Sequence, residues 1–151
     1  MNWRGPISKL TVSCWYALGC GATIVAAISR FEEVRINAAA ALQPRAQRLC
    51  AAAGADMAKV TFHPHPTNDA WCRDHGPIFL QRRAGGSVEE AVVDWGFNAW
   101  GGKYPPYDLD DVIPSLIGKH YNIPVFHPGI VMEGGSVEFN GKGALLSSTA
   151  C

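Results

Sequence analysis

Between Thr67 and Pro77 the chain reads Thr-Asn-Asp-Ala-Trp-Cys-Arg-Asp-His-Gly-Pro, without a single Val, Leu, Ile or Met. An element buried on even one face needs a repeat of larger apolar side chains. This segment therefore interrupts any sheet that flanks it, and Gly76-Pro77 makes the chain bend as it leaves. Two Asp, an Arg, a His, a Cys and a Trp at a bend is the composition of a ligand site on a scaffold. A carboxylate beside a Trp suits a flat cation such as a guanidinium.

The rest of the chain is long enough for one ordinary domain with a core, at 151 residues of which 48% are hydrophobic. Lys plus Arg number 13, as do Asp plus Glu. That balance gives no electrostatic reason to expect nucleic acid or an acidic membrane surface as a partner. The five cysteines, Cys14, Cys20, Cys50, Cys72 and Cys151, form no CxxC pair. Their odd number and spacing favour reduced thiols in a cytoplasmic protein over a disulfide framework. Arg4 and Lys9 precede a charge-free stretch from Leu10 to Ser29 that resembles a signal segment. Its Ser, Thr, Cys and Gly residues make it weakly apolar for a membrane span.

Apolar spacing and breakers predict the elements. Ala22 to Arg30 reads as a helix and Glu33 to Ile36 as a strand. The stretch from Ala38 to Ala53 favours helix, starting near Pro44 and ending at Gly54. Val60 to His63 is a strand closed by Pro64 and Pro66. Pro77 to Gln81 and Ala91 to Trp95 read as a hairpin pair around Gly85-Gly86. Phe97 to Pro106 reads as a loop, and Asp108 as the cap of a helix towards His120, with Pro114 forcing a late start or a kink. Val125 to His127, Gly135 to Phe139 and Ala144 to Ser147 read as strands, the last two joined at Asn140-Gly141. The order is mixed α/β but not plainly alternating.

Three segments carry candidate chemistry. Asp74, at the mouth of a strand, would hold a guanidinium by paired hydrogen bonds, or else pair with Arg73 or cap a turn. Trp71 would stack on the same cation, or fill a core at a strand end. Asp69 reads as a turn starter. In Glu133-Gly134-Gly135-Ser136 an acidic residue precedes two glycines, so backbone can approach a ligand while a carboxylate points into it; the other reading is a surface Glu before a bulge. Asp94 to Tyr104 is rich in aromatics and glycine, as an aromatic rim or as plain loop packing. His63-Pro64-His65 offers two metal donors, but no further His-rich set follows. Phosphate-loop, dinucleotide and serine-hydrolase signatures are all missing.

Taken together, Asn68 to Pro77, Trp95 to Tyr104 and Glu133 to Ser136 resemble the agmatine deiminase family, also called the bacterial-type peptidyl-arginine deiminases, from about Ala22 to Cys151. The resemblance implies a pentein α/β propeller of five ββαβ units, about two of which fit this strand and helix order. It implies hydrolysis of a guanidinium to a ureido group with release of ammonia, without metal or organic cofactor. A Cys thiolate attacks, a His serves as general acid and then base, and two carboxylates hold the cation. Carried over residue by residue, Asp74 is the first carboxylate, Trp71 lines the pocket and Glu133 is a further pocket residue.

Agmatine is the favoured substrate, giving N-carbamoylputrescine on the way to putrescine; free or peptidyl arginine are the alternatives. A homo-oligomer of the full-length enzyme is compatible with the resemblance. The family's catalytic His, its Gly-His-x-Asp-type motif and its nucleophilic Cys have no counterpart in these residues. Neither Cys72 nor Cys151 stands at the nucleophile's position. The expectation is an inactive N-terminal part of such an enzyme, with residues 1–21 a divergent or artefactual leader and an open propeller edge exposing apolar surface. Two rivals remain: a metal-dependent amidohydrolase using His63 and His65, and an inert guanidine-binding module.

Overall fold

The computed structural model describes residues 10–13 and 18–148. The chain divides between Cys72 and Arg73 into two compact units. The first is a parallel α/β layer. Strand β1 (Leu10–Ser13), helix α1 (Leu18–Ile28), strand β2 (Val34–Asn37), helix α2 (Gln43–Ala52) and strand β3 (Val60–His63) follow one another. The sheet order is β1-β2-β3, all parallel. Consecutive crossovers of one hand put both helices on the same face. There Ala22 and Val25 of α1, Val34 and Ile36 of β2, Ala38 and Cys50 form one buried cluster.

The chain as a whole is mixed α/β as expected, but this unit taken alone alternates strand and helix plainly. The cause is β1, hidden in the charge-free stretch from Leu10 to Ser29. That stretch is broken into a strand and a helix instead of running as one apolar segment. No helix among the described residues is long and apolar enough to cross a membrane. Residues 1–9 of the expected leader lie outside the described residues, as do Cys14 and Cys151. Pro44 sits in the first turn of α2 as expected, because a missing N–H costs nothing there. Gly54 follows with φ +83°.

The second unit is mixed. Helical turn α3 (Cys72–His75) leads into strands β4 (Ile78–Ala84) and β5 (Ser87–Val93). A four-residue turn α4 (Ala99–Gly102), helices α5 (Asp108–Asp111) and α6 (Ile113–Tyr121), and strand β6 (Val125–Phe126) come next. Strands β4 and β5 are antiparallel, and β6 adds parallel to β5. This is one ββαβ unit. Phe79, Val92, Ile113 and Ile117 are its buried cluster. Hairpin β7 (Val137–Phe139) and β8 (Leu145–Ser147) forms a separate two-stranded sheet. Among the described residues no sheet closes into a barrel, and the architecture is an α/β fold of the incomplete-propeller kind.

The β4–β5 hairpin is longer than its apolar pattern suggested. Polar residues read as loop continue the ladder through cross-strand pairs: Arg82 Nε donates to Glu89 Oε2 (2.6 Å) and Gln81 Nε2 to Glu90 Oε1 (3.2 Å). Only Gly85 and Gly86, both at positive φ, remain for the turn. Asp108 is not the cap of its helix. Tyr107 holds that position and Asp108 is the first helical residue. Of the two alternatives at Pro114 the late start holds, since α6 begins afresh at Ile113 with Pro in its first turn. Asn140 does turn the β7–β8 hairpin, but by accepting from the N–H groups of Lys142 (2.8 Å) and Ala144 (3.0 Å) across a longer loop.

Candidate active site

Asp74 lies in α3, four residues before β4, and is half-buried. Its Oδ1 accepts the backbone N–H of Gly135 at 3.0 Å, a contact spanning 61 positions of sequence. The alternative of an ion pair with Arg73 does not hold. Arg73 instead approaches the exposed Glu138 at 3.8 Å. At that distance and exposure the pair contributes little. Asp69 Oδ1 accepts the N–H of Ala70 at 2.6 Å.

The second motif meets the first. Glu133 precedes a turn of 3-10 helix, Gly134–Ser136, which leads into β7. A side-chain carbon on Gly134 would overlap the carbonyl oxygen of Arg73, and one on Gly135 would overlap Asp74 Oδ1. The glycines thus admit backbone against backbone within the protein, where the sequence suggested backbone against a ligand. Glu133 itself is no surface residue. It is 2% exposed, and among the described residues neither carboxylate oxygen has a hydrogen-bond partner. Its backbone oxygen is occupied, accepting from the Ser136 N–H (3.0 Å) and hydroxyl (2.7 Å). A buried carboxylate left without a partner is expensive unless a cation arrives.

The third motif is built around Phe97. Its N–H donates to Asp111 Oδ1 (2.6 Å), which ties the loop to the acidic turn α5. Its ring lies 5.6 Å from that of His75, 5.8 Å from Trp100 and 6.3 Å from Tyr107, and Trp100 lies 5.8 Å from Tyr104. Residues read as irregular loop here form one left-handed turn, with Ala99 and Trp100 at φ +50° and +59° before Gly101 and Gly102. Asn98 Oδ1 accepts the Gly101 N–H at 2.8 Å and holds the turn. Two L-residues in this conformation are strained, which fits a positioned aromatic group better than a passive linker.

One pair escaped the sequence reading. His75 and Asp110 are both buried, with Nε2 and Oδ1 3.8 Å apart. His75 follows Asp74 directly, yet only the fold brings it to an acid 35 positions on. No local pattern marks Asp110 among its acidic neighbours as the buried one.

Trp71 belongs to the first unit, where its side chain is 48% exposed. It is not the core Trp of the alternative reading. In the same unit His63 and His65 stack with centroids 5.9 Å apart. Among the described residues no three His, Cys, Asp or Glu side chains gather so as to hold a metal ion. Cys50 is buried and Cys72 half-buried, and neither is in a disulfide.

Comparison with known proteins gives a consistent result. The sequence model of the Porphyromonas-type peptidyl-arginine deiminases matches residues 15–151. The agmatine deiminase of Pseudomonas syringae pv. tomato is 36% identical over 133 residues, covering 85% of this chain and 34% of that protein. The solved agmatine deiminase of Enterococcus faecalis superposes with a TM-score of 0.76 at 29% identity, over 96% of this chain and 43% of that one. The C. jejuni agmatine deiminase with substrate bound gives 0.79 at 25% identity, over 99% and 46%. The chain therefore spans about a third of the length of such curated relatives, 34% in the case of the Pseudomonas protein.

Proposed function

This chain belongs to the Porphyromonas-type peptidyl-arginine deiminase family, and we propose that its residues form one wall of the site of a guanidine deiminase acting on agmatine. The reaction is hydrolysis to N-carbamoylputrescine and ammonia. The observation that carries the reading is Glu133. A carboxylate at 2% exposure with both oxygens unpartnered among the described residues, on a segment packed against Asp74, is matched by a guanidinium and its five N–H donors.

In this proposal Asp74 is the first of the carboxylates that hold the cation and Glu133 is a further carboxylate of the same pocket. The carboxylates orient the guanidinium so that its carbon faces a Cys thiolate, contributed from outside residues 1–151. Attack forms a C–S bond, one nitrogen leaves as ammonia after accepting a proton from a His, and water then releases the ureido product and regenerates the thiolate. The residues described here bind and orient; they do not break the C–N bond. By this reading the 151-residue chain alone is inactive.

The test is an assay of the protein with its family-length C-terminal continuation, using agmatine, free arginine and a peptidyl-arginine side by side. Ammonia and a ureido product from agmatine, lost in Asp74→Asn and in Glu133→Gln, are expected. Turnover only of the arginine substrates would move the assignment to them. Agmatine binding without turnover by any substrate would leave the inert binding module instead.

A further inference from the structure

Two kinds of glycine stand out in the second unit. Gly85, Gly86, Gly101, Gly102, Gly129, Gly141 and Gly143 all have positive φ and open space where a side chain would go. They are glycine for the sake of the backbone angle. Gly134 and Gly135 are the reverse. Neither has a positive φ, so any L-residue could adopt their backbone, but each is crowded at the missing Cβ. Gly134 faces the Arg73 carbonyl and Gly135 faces the Asp74 carboxylate. These two are glycine for the sake of a neighbour.

We infer that Gly135 is the positioning residue of Asp74. Its bare Cα admits the carboxylate, and its N–H fixes Oδ1 at 3.0 Å. A carboxylate anchored through one oxygen has a defined plane, so Oδ2 is the oxygen left to meet a cation. Because Glu133 lies two residues before Gly135 on the same tight segment, this contact also sets where the Glu133 backbone runs. The guanidinium-binding part of this inference rests on the proposed function; the positioning part does not.

The experiment is a stability cycle in the intact protein without ligand. Gly135→Ala and Gly134→Ala are each made in the parent and in Asp74→Ala. Ala at 74 removes the oxygen that a residue-135 methyl would overlap, but leaves the backbone carbonyl that a residue-134 methyl would overlap. Gly135→Ala is expected to lower Tm by roughly 3 °C or more in the parent and by under about 1 °C in Asp74→Ala. Gly134→Ala is expected to cost the same in both. Should Asp74→Ala not fold, Asp74→Ser is the second background. Recovery of folding for Gly135→Ala in either background would itself support the inference. Equal losses for Gly135→Ala in parent and Asp74→Ala, or no loss in the parent, overturn it.

The kinetic arm uses agmatine and the family-length protein as parent. Gly135→Ala lowers kcat/KM about tenfold or more in the parent and adds nothing to the loss caused by Asp74→Ala. Absence of all turnover in the parent would remove the proposed function, while the Tm cycle would still decide the role of Gly135.

Discussion

The two units solve the same packing problem with different amounts of strain. In the first, helices α1 and α2 share a sheet face, and the core is Ala, Val, Ile and Cys at ordinary helix and strand spacing. In the second, β4, β5 and α6 form an equally ordinary cluster, but the segments around it do not relax. It holds an unpartnered buried Glu133, a left-handed turn at Ala99–Gly102 and two glycines crowded by Arg73 and Asp74. Exposed apolar side chains do not distinguish the two units, since Phe31 is 83% exposed in the first and Leu146 73% in the second. Strain and unpaired charge persist in folded proteins where they serve binding. Under the proposed function the second unit carries most of the ligand-directed chemistry, although the first also buries Asn37 and Thr67 with side-chain atoms unpartnered among the described residues.

The largest expected effect tests that assignment directly. Asp74→Asn or Glu133→Gln should lower kcat/KM for agmatine by about 10²–10³. Glu133→Gln should at the same time raise stability by about 1 kcal/mol, because it removes an unpartnered buried charge. A drop in Tm on Glu133→Gln would mean that the carboxylate is satisfied in the folded protein, and the contrast would lose its main support.

Core truncations come next. Ile36→Ala in the first unit and Ile117→Ala in the second should each cost about 2–5 kcal/mol in denaturant unfolding. Since they sit in separate clusters, their costs should add to within about 0.5 kcal/mol. Strong coupling would show that the two cores are energetically one. Ile36→Ala should leave kcat/KM per folded molecule unchanged.

Smaller effects mark the edges of the second unit. Asn122 closes α6 at φ +52°, so Asn122→Ala should cost about 1 kcal/mol while Asn122→Gly costs almost nothing. Arg82→Ala removes a 2.6 Å ion pair whose partners are 30% and 42% exposed, and should shift stability by less than about 1 kcal/mol. A larger loss there would mean that the β4–β5 ladder depends on its charged pairs more than on its apolar face.

Much of this molecule was legible locally. Strand β3, the start of α2 at Pro44, the Gly85-Gly86 turn and the bend after Asp74 follow from breakers and apolar spacing, which act over a few residues. Strand β1 was not legible, because its four residues acquire meaning only beside β2. The outer halves of β4 and β5 were missed because their polar residues pair across the hairpin and have no apolar repeat to show.

The sequence by itself determined which chemistry is on hand: a carboxylate and an indole near a bend, a Glu before two glycines, and an aromatic run. Side-chain chemistry is carried by each residue alone, so a linear reading can find it. Tertiary structure alone decided that Glu133 is buried without a side-chain partner among the described residues, that His75 meets Asp110, and that Gly134 and Gly135 are crowded by the Arg73 carbonyl and the Asp74 carboxylate. Each of these depends on which groups are brought within a few ångströms and which are removed from water. Such proximity, across 61 positions in the case of Asp74 and Gly135, is a property of the folded chain that no local stretch contains.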